Sequence, residues 1–338
     1  VWKLLIITNK NKRGKKKMNN EILNNLGDYG DADFNVRKEP LYIQNKGFFD
    51  ITQNGKYQNI FDNIDSHVAI VRDDTNEPLS IVSKKYKPVT HVKAFKTAED
   101  VIMRSNLNLE GIKRDTAVSH NGARAYSTWT LPEHRVTLRQ DDDVALQISA
   151  RNSFDGSWSF VVEVGGLRFI CLNMQVFANN FAIHKSKHTK GLDLDYIANK
   201  LSDSILFYDQ ETELWKNMVK RSISDKTAME VLAYLANCKV AESLSKRYFG
   251  YNVSSILDDK DVIRNKALPK LYDLWVSNKN KLDSTAWALY NAMTEWATHS
   301  NSDKKTAIKN VASIRINKLD RVRKTLNNKM LPVLDLVA

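Results

Sequence analysis

Polar side chains in the middle of the chain have the types and spacing of a nucleic-acid contact surface. The alternating polar positions of one predicted strand are Arg124, Tyr126, Thr128 and Thr130. Those of a second predicted strand are Gln147, Ser149 and Arg151. A period of two places each set on one side of its strand, and Arg168 extends this surface if the strands are neighbours. Arginines bind phosphates and an aromatic ring offers a base a stacking face, so the pattern predicts single-strand nucleic-acid binding, with a solvated sheet face as the alternative.

Two basic segments support the same interpretation. The stretch from His184 to Lys190 has three lysines and two histidines but no acid. Its lysines are Lys185, Lys187 and Lys190. The segment from Asp303 to Met330 has nine Lys or Arg residues against two Asp. Each segment either follows a phosphate backbone, which would make binding sensitive to salt, or forms the solvated side of an amphipathic helix.

Bond-making chemistry has weaker support in the sequence. His184 and His188 have the spacing of two zinc ligands on one helix face, but lysines lie between them and the HExxH glutamate is absent. The acidic run Asp141 to Asp143 is typical of a solvated loop, although two-metal nucleases also use carboxylates. No phosphate-binding loop, dinucleotide fingerprint or nucleophile elbow occurs. The sequence therefore favours a binding protein that needs no cofactor and no metal, and leaves a metal-dependent nuclease as the first alternative.

The elements that position these residues begin with short strands. The runs His67–Arg72 and Leu79–Ser83 flank a turn sequence and predict a hairpin, whereas Pro40 to Phe61 shows no steady period. Further on, glycine-containing pairs typical of tight turns separate β-like runs. These pairs are Asn121-Gly122, Asp155-Gly156 and Gly165-Gly166. An antiparallel meander between Asp115 and Ile170 is the expected result.

The period then changes to that of helices. The segment Cys171–His184 predicts a helix docked on the meander, and a longer helical stretch is expected over Leu192–Lys220. Further helices are expected over Thr227–Phe249, Lys266–Val276, Ser284–Thr298 and Lys304–Asn328, with an N-cap at Asp283 or Ser284. The predicted fold is α+β: an antiparallel β-meander running into a docked helix, followed by a mostly helical C-terminal half.

The chain is divided by these patterns into three regions. Residues 1–17 contain seven Lys or Arg and no acid, and we expect a non-native or disordered basic arm there. Residues 18–230 are the expected α+β core, and residues 231–338 the helical C-terminal region. The formal net charge of +12 falls to +5 without the first 17 residues. Two distant cysteines, Cys171 and Cys238, favour a reducing, cytoplasmic compartment.

Six phrases in a fixed order resemble a known family. They are IVSKKYKPVTHVKAF (81–95), SHNGARAY (119–126), NSFDGSWSF (152–160), RFICLNMQVF (168–177), KHTKG (187–191) and ALYNAMTEWATH (288–299). This series is similar to the phage/plasmid-like protein family known as domain of unknown function 932, over roughly residues 40 to 299. Phe154 departs from the family phrase, which has His at that position. The resemblance implies a phage, plasmid or prophage setting in a bacterial host, but no particular reaction.

A more distant architectural similarity connects the predicted meander and helix to phage single-strand annealing proteins. Taken with the basic segments, it implies a single-stranded DNA-binding protein that anneals strands in recombination or replication as a homo-oligomer. The expected contacts are Arg124, Tyr126, Arg151 and Arg168, helped by Lys185, Lys187 and Lys190. The second alternative is a phage structural or protein-interaction module, with the tryptophan-bearing C-terminal helices as its surface. Core packing is the default role of those tryptophans.

Overall fold

The computed structural model describes residues 18–19, 21–51, 57–104, 107–169, 173–176, 183–186, 208–236, 267–299 and 311–336. Antiparallel sheets precede most of the helices, which confirms the predicted α+β class. The strands are β1 (Val36–Ile51), β2 (Tyr57–Arg72), β3 (Pro78–Ser83), β4 (Lys113–Ser119), β5 (Arg124–Arg139), β6 (Asp142–Ser153), β7 (Phe160–Arg168), β8 (Asn173–Val176) and β9 (Ile183–Ser186). The helices are α1 (His91–Arg104), α2 (Tyr208–Lys220), α3 (Asp225–Leu235), α4 (Ala267–Leu282), α5 (Ala286–Thr298), α6 (Val311–Thr325) and α7 (Leu331–Leu334). None of these helices is both long and apolar enough to cross a membrane.

The larger sheet is an antiparallel meander in which β4 to β8 are neighbours in sequence order, and β9 also pairs with β7. Its register brings the two predicted polar sets together, because Tyr126 lies opposite Arg151 and Thr128 opposite Ser149. The predicted sharing of one side is therefore confirmed for β5 and β6. Arg168 lies opposite Val144, on the other side of the sheet, so its predicted place on the same surface is wrong.

The face that carries Val144 packs into the main hydrophobic core. Leu146 and Ile148 continue this face along β6, and α1 packs against β6 with side chains such as Phe95. Each fully buried Leu, Ile or Phe side chain stabilises the fold by roughly 1.5–3 kcal/mol. The same core contains Trp287 of α5, so residues before and after position 230 contribute to it.

Gly165 and Gly166 lie inside β7, not in a turn, so this turn prediction is wrong. A Cβ at Gly165 would lie 2.5 Å from the carbonyl oxygen of Gln175 on β8. A Cβ at Gly166 would lie 2.8 Å from the Trp215 ring of α2. The two glycines therefore allow β8 and Trp215 to pack closely against β7. The other two predicted turns are confirmed, with positive φ at Gly122 (+93°) and Gly156 (+70°).

The smaller sheet has the order β1, β2, β3. The predicted hairpin of β2 and β3 is confirmed, with His67 opposite Ser83. The aperiodic stretch before it forms the long strands β1 and β2, which pair from Val36–Arg72 to Ile51–Tyr57. β3 pairs only with residues 67–71 of β2. Beyond those residues, β1 and β2 therefore form a two-stranded ribbon in the described structure. We call residues 41–51 and 57–66 the arm.

The segment after Ile170 differs from the prediction. Its described parts are the strands β8 and β9, so a docked helix over Cys171–His184 is wrong. Both strands pair with β7, and this pairing outweighs the helical spacing of the apolar residues. The later helices are confirmed in type where the structure describes them. α5 has Thr285 as its N-cap, one residue after the predicted positions, and the Thr285 hydroxyl accepts a hydrogen bond from the backbone N–H of Ala288.

Candidate nucleic-acid interface

The predicted polar face of β5 and β6 is covered by α6. Tyr126 is buried in a small cluster with Trp158, Ala312 and Ile316, the last two from α6. Burial raises the pKa of the Tyr126 hydroxyl. Arg124 is partly buried, and its Nε donates to Asp155 Oδ2 at 2.6 Å. The expected exposure of this face is therefore wrong, because a helix nearly 200 residues away in the chain packs on it.

Arg151 belongs to a buried charge network between the sheet and α6. Both of its terminal nitrogens donate to Asp320, at 3.0 and 3.2 Å. Arg323 of the same helix contacts Glu163 on β7 at 3.1 Å and Asp320 at 3.3 Å. Ser149 also donates to Glu163. Arg151 is thus used to attach α6 to the sheet, and its charge is balanced inside the protein.

Arg168 forms a second buried pair on the opposite face. Its Nε and one terminal nitrogen donate to the two carboxylate oxygens of Asp142, at 2.5 and 2.7 Å. The indole N–H of Trp287 donates to the same carboxylate at 3.0 Å. Asp142 is therefore part of β6 and fully engaged, so the prediction of a solvated acidic loop is wrong at this position.

The first predicted basic segment is only partly described. Lys185 lies in β9 opposite Val161, whereas Lys187 and Lys190 lie outside the described residues. His184 lies in the same strand, so it does not have the helical spacing to His188 that a zinc pair on one helix face requires. His188 itself lies outside the described residues. The predicted contacts of Lys185, Lys187 and Lys190 with nucleic acid stay predictions.

The cations of α6 are mostly used within the protein. Arg321 donates to the carbonyl oxygen of Leu235, and the Lys318 ammonium lies 4.1 Å from the centre of the Trp296 ring. Lys324 is exposed. Fewer exposed cations are therefore found on α6 than the sequence of residues 303–330 predicts.

Lys318 gives the stability of the protein a dependence on alkaline pH. Burial, followed by the charges of Lys270 and Arg321, lowers the pKa of Lys318 from 10.5 to about 8. Because the folded protein releases this proton more readily than the unfolded chain, its stability should rise as the pH increases from about 8 to 10.5. In Lys318→Met, thermal melts across this range should lack that rise, while Lys324→Met should keep it. An unchanged rise in Lys318→Met would contradict the assignment.

An exposed set of lysines lies at the junction of β3 and α1, a region where no contact is predicted from the sequence pattern. We call it the lysine surface, and its members are Lys84, Lys85, Lys87, Lys93 and Lys96. From Pro78 to Ala98 the chain holds these five cations and no Asp or Glu. Within the described part of the chain, none of the five lysine side chains forms an ion pair. The lysine surface is therefore a described positive region whose charge is not balanced by contacting acids of the described residues.

Buried neighbours hold the lysine surface in place. Tyr86 lies between its first members, and its hydroxyl donates to the carbonyl oxygen of Ser153 at 2.7 Å. Burial and the nearby Asp155 raise the pKa of this hydroxyl. The backbone N–H of Lys84 donates to the carbonyl oxygen of Ser66, and Lys38 Nζ donates to the carbonyl oxygen of Lys84, both at 3.0 Å. The lysine surface is therefore anchored to the body and to the start of the arm.

The start of α1 is fixed by a buried histidine. His91 Nε2 lies 2.8 Å from the carbonyl oxygen of Gly122, and its Nδ1 lies 3.0 Å from the side-chain nitrogen of Asn152. Phe154 packs on the His91 ring at a centroid distance of 4.3 Å. Three of the phrases that carry the family resemblance (81–95, 119–126 and 152–160) thus meet behind the lysine surface.

A cleft of about 450 Å³ lies beside α1. Lys93 and Lys96 line it together with Asp33 and Asp100. The two acids reduce the positive potential at this end, so within the lysine surface the positive charge is least opposed at the turn with Lys84, Lys85 and Lys87.

Comparison with family models matches residues 78–325 to Domain of unknown function (DUF932). The chain belongs to the DUF932 family. No curated protein and no solved structure matched the chain. The DUF932 region starts at β3 and ends with α6, so it includes the lysine surface and both buried charge networks. The arm precedes the DUF932 region.

The two alternative functions use residues of the DUF932 region, of which His188 lies outside the described residues. Among the described residues, no three His, Cys, Asp or Glu side chains are grouped as metal ligands. The tryptophans of the helices, Trp215, Trp275, Trp287 and Trp296, are buried, which confirms their default role in the core.

Proposed function

We propose that this DUF932 protein binds nucleic acid, with single-stranded DNA as the preferred ligand, and that the lysine surface binds its phosphates. The observation that supports this is the exposure of five lysines on an anchored turn and helix start, none of which forms an ion pair with an acid of the described residues. Neutralising a phosphate releases condensed counterions, so each such contact contributes affinity that decreases with salt. Of the arginines predicted from the sequence, Arg151 contributes indirectly by holding the sheet and α6 together, whereas Arg124 and Arg168 pair with Asp155 and Asp142.

The setting of the wider role comes from the family resemblance, and annealing itself is proposed from charge neutralisation alone, because β8 and β9 stand where the architectural similarity to annealing proteins expected a docked helix. In a phage, plasmid or prophage setting, we propose that the protein anneals complementary strands during recombination or replication. Annealing needs charge neutralisation and alignment of bases but no bond chemistry, so no cofactor is required. Homo-oligomerisation is part of this proposal, because several copies must cover a strand of useful length.

Replacement of three lysines tests the proposal. In Lys84→Gln/Lys85→Gln/Lys87→Gln, we expect binding of a labelled single strand to weaken and the slope of log K against log salt to fall by about 2. Fluorescence anisotropy across a salt series measures both quantities. The matched control, Lys220→Gln/Lys281→Gln/Lys324→Gln, removes the same charge from exposed helix positions and should bind almost as the wild type does. Equal losses in both variants would show that only net charge matters and would contradict a site at the lysine surface.

A further inference from the structure

Two aromatic rings are exposed together on the arm. Tyr42 is 59% exposed and Phe61 is 56% exposed. Tyr42 lies opposite Asn63, and Gln44 lies opposite Phe61. Residues opposite each other share a face and so do residues two apart, so the two rings occupy diagonal positions on one face of the ribbon.

This exposure is unfavourable for the isolated protein. A two-stranded ribbon is only marginally stable in water by itself, and large apolar side chains normally stabilise such a ribbon by being covered. Neighbouring exposed rings of this kind are typical of a surface that another molecule covers.

The rings lie close to the lysine surface. The carbonyl oxygen of Ser66 accepts the hydrogen bond of the Lys84 N–H at 3.0 Å, and Ser66 is three residues from Asn63, the partner of Tyr42. The register of β1 and β2 shifts between Pro40 and Tyr42, so residues 64–67 bulge and the separation along the strand is at most about 10 Å at roughly 3.3 Å per residue. A ligand that contacts the lysines and the rings therefore needs both negative charge and flat apolar groups within a short distance.

The acidic residues of the arm disfavour a phosphate group next to the rings. Asp62 lies opposite Ile43, on the face away from the rings. Asp65 accepts a hydrogen bond from the side chain of Asn63 at 3.1 Å, so one negative charge lies near the rings. The rings therefore favour the uncharged part of a ligand, and the phosphates are expected at the lysines.

We infer that Tyr42 and Phe61 form a base-stacking platform for single-stranded nucleic acid whose phosphates lie on the lysine surface. This inference rests on the proposed function and adds the residues that select single strands. Bases of a single strand are free to stack on aromatic side chains, whereas those of a duplex are already stacked and paired. The lysine surface binds phosphates of both single strands and duplexes, and the arm distinguishes single strands from duplexes.

The test compares two ligands with one arm variant. Anisotropy is measured with a labelled oligothymidine of about 20 nucleotides and with a mixed-sequence duplex of the same length. In Tyr42→Ala/Phe61→Ala, binding of the single strand should weaken by about five- to a hundredfold, with duplex binding and the salt slope unchanged. Ile81→Ala removes an equally exposed apolar side chain from β3 and should leave both affinities unchanged. Tyr42→Trp keeps a stacking ring, and its fluorescence should be quenched by the single strand.

The possible results separate this inference from the proposed function. If the wild type binds both ligands and the double alanine variant binds the single strand equally well, the platform is wrong and the lysine surface stands. If the wild type binds neither ligand, the proposed function falls. A double alanine variant that changes oligomeric state, with single-strand affinity preserved at equal protomer concentration, would assign the arm to contacts between copies and overturn the inference.

Discussion

Replacing Arg168 by Met is expected to lower the free energy of unfolding by about 3–5 kcal/mol, because it leaves a buried carboxylate without its cation. Arg168 and Asp142 are only 4% and 2% exposed, and the guanidinium contacts both carboxylate oxygens. Among the described residues, the other side-chain donor to Asp142 is the indole of Trp287, which is neutral. Urea unfolding, followed by tryptophan fluorescence, measures the loss.

The control for this prediction is the surface pair of Arg139 and Asp283. Its contact distance is 2.9 Å, but the side chain of Asp283 is 78% exposed. Water and salt screen such a pair, so Arg139→Met should cost no more than about 1 kcal/mol. If the two variants lose the same free energy, the location of Arg168 in the core does not matter and the prediction is wrong.

Replacing Glu163 by Gln is expected to cost about 3 kcal/mol or more and to loosen α6. Glu163 is buried and is the counter-charge of Arg323, with Arg151 close by. Without it, Asp320 is the one acid of this network that remains for two buried guanidinium groups. Hydrogen exchange of the α6 amides should become faster, and the same amides should be unaffected in the control variant Glu133→Gln, whose side chain is exposed.

The same carboxylate gives the wild type a sensitivity to acid. Burial acts to raise the pKa of Glu163, but Arg323 and Arg151 outweigh it and hold this pKa below the ordinary 4.5. A lowered pKa in the folded state contributes stability that is complete above pH 4.5 and is lost as the pH falls through the folded value. Unfolding free energies measured below pH 4.5 should therefore decline less steeply in Glu163→Gln than in the wild type. An identical decline would assign the acid sensitivity to other carboxylates.

The local geometry of the sheet was predictable, but its exposure was not. A period of two is a property of neighbouring residues, so the shared side of Tyr126 and Thr128 follows from the sequence. What covers that side depends on contacts such as Arg151–Asp320, whose partners are 169 residues apart in the chain. A polar sheet face that is exposed to solvent and one that is covered by a polar helix have the same sequence pattern.

Errors at glycines and at short strands have a similar origin. Gly165-Gly166 has the composition of a turn, yet the close approach of β8 and Trp215 requires small residues inside a strand. The lysine surface had a readable signal, which was the absence of acids from Pro78 to Ala98. The signal is dispersed over a strand end, a turn and a helix start, and these become one surface only after folding.

The root of the arm makes it an exchangeable part of the protein. The chain enters and leaves it at residues that face each other, with Pro40 opposite Val68. Opposed residues of an antiparallel pair are only about 5 Å apart, so a ribbon of any length, or a tight turn, can be inserted there without moving the body. With the base-stacking role inferred above, replacing the arm is expected to alter ligand preference while the buried charge networks that hold the body together stay untouched.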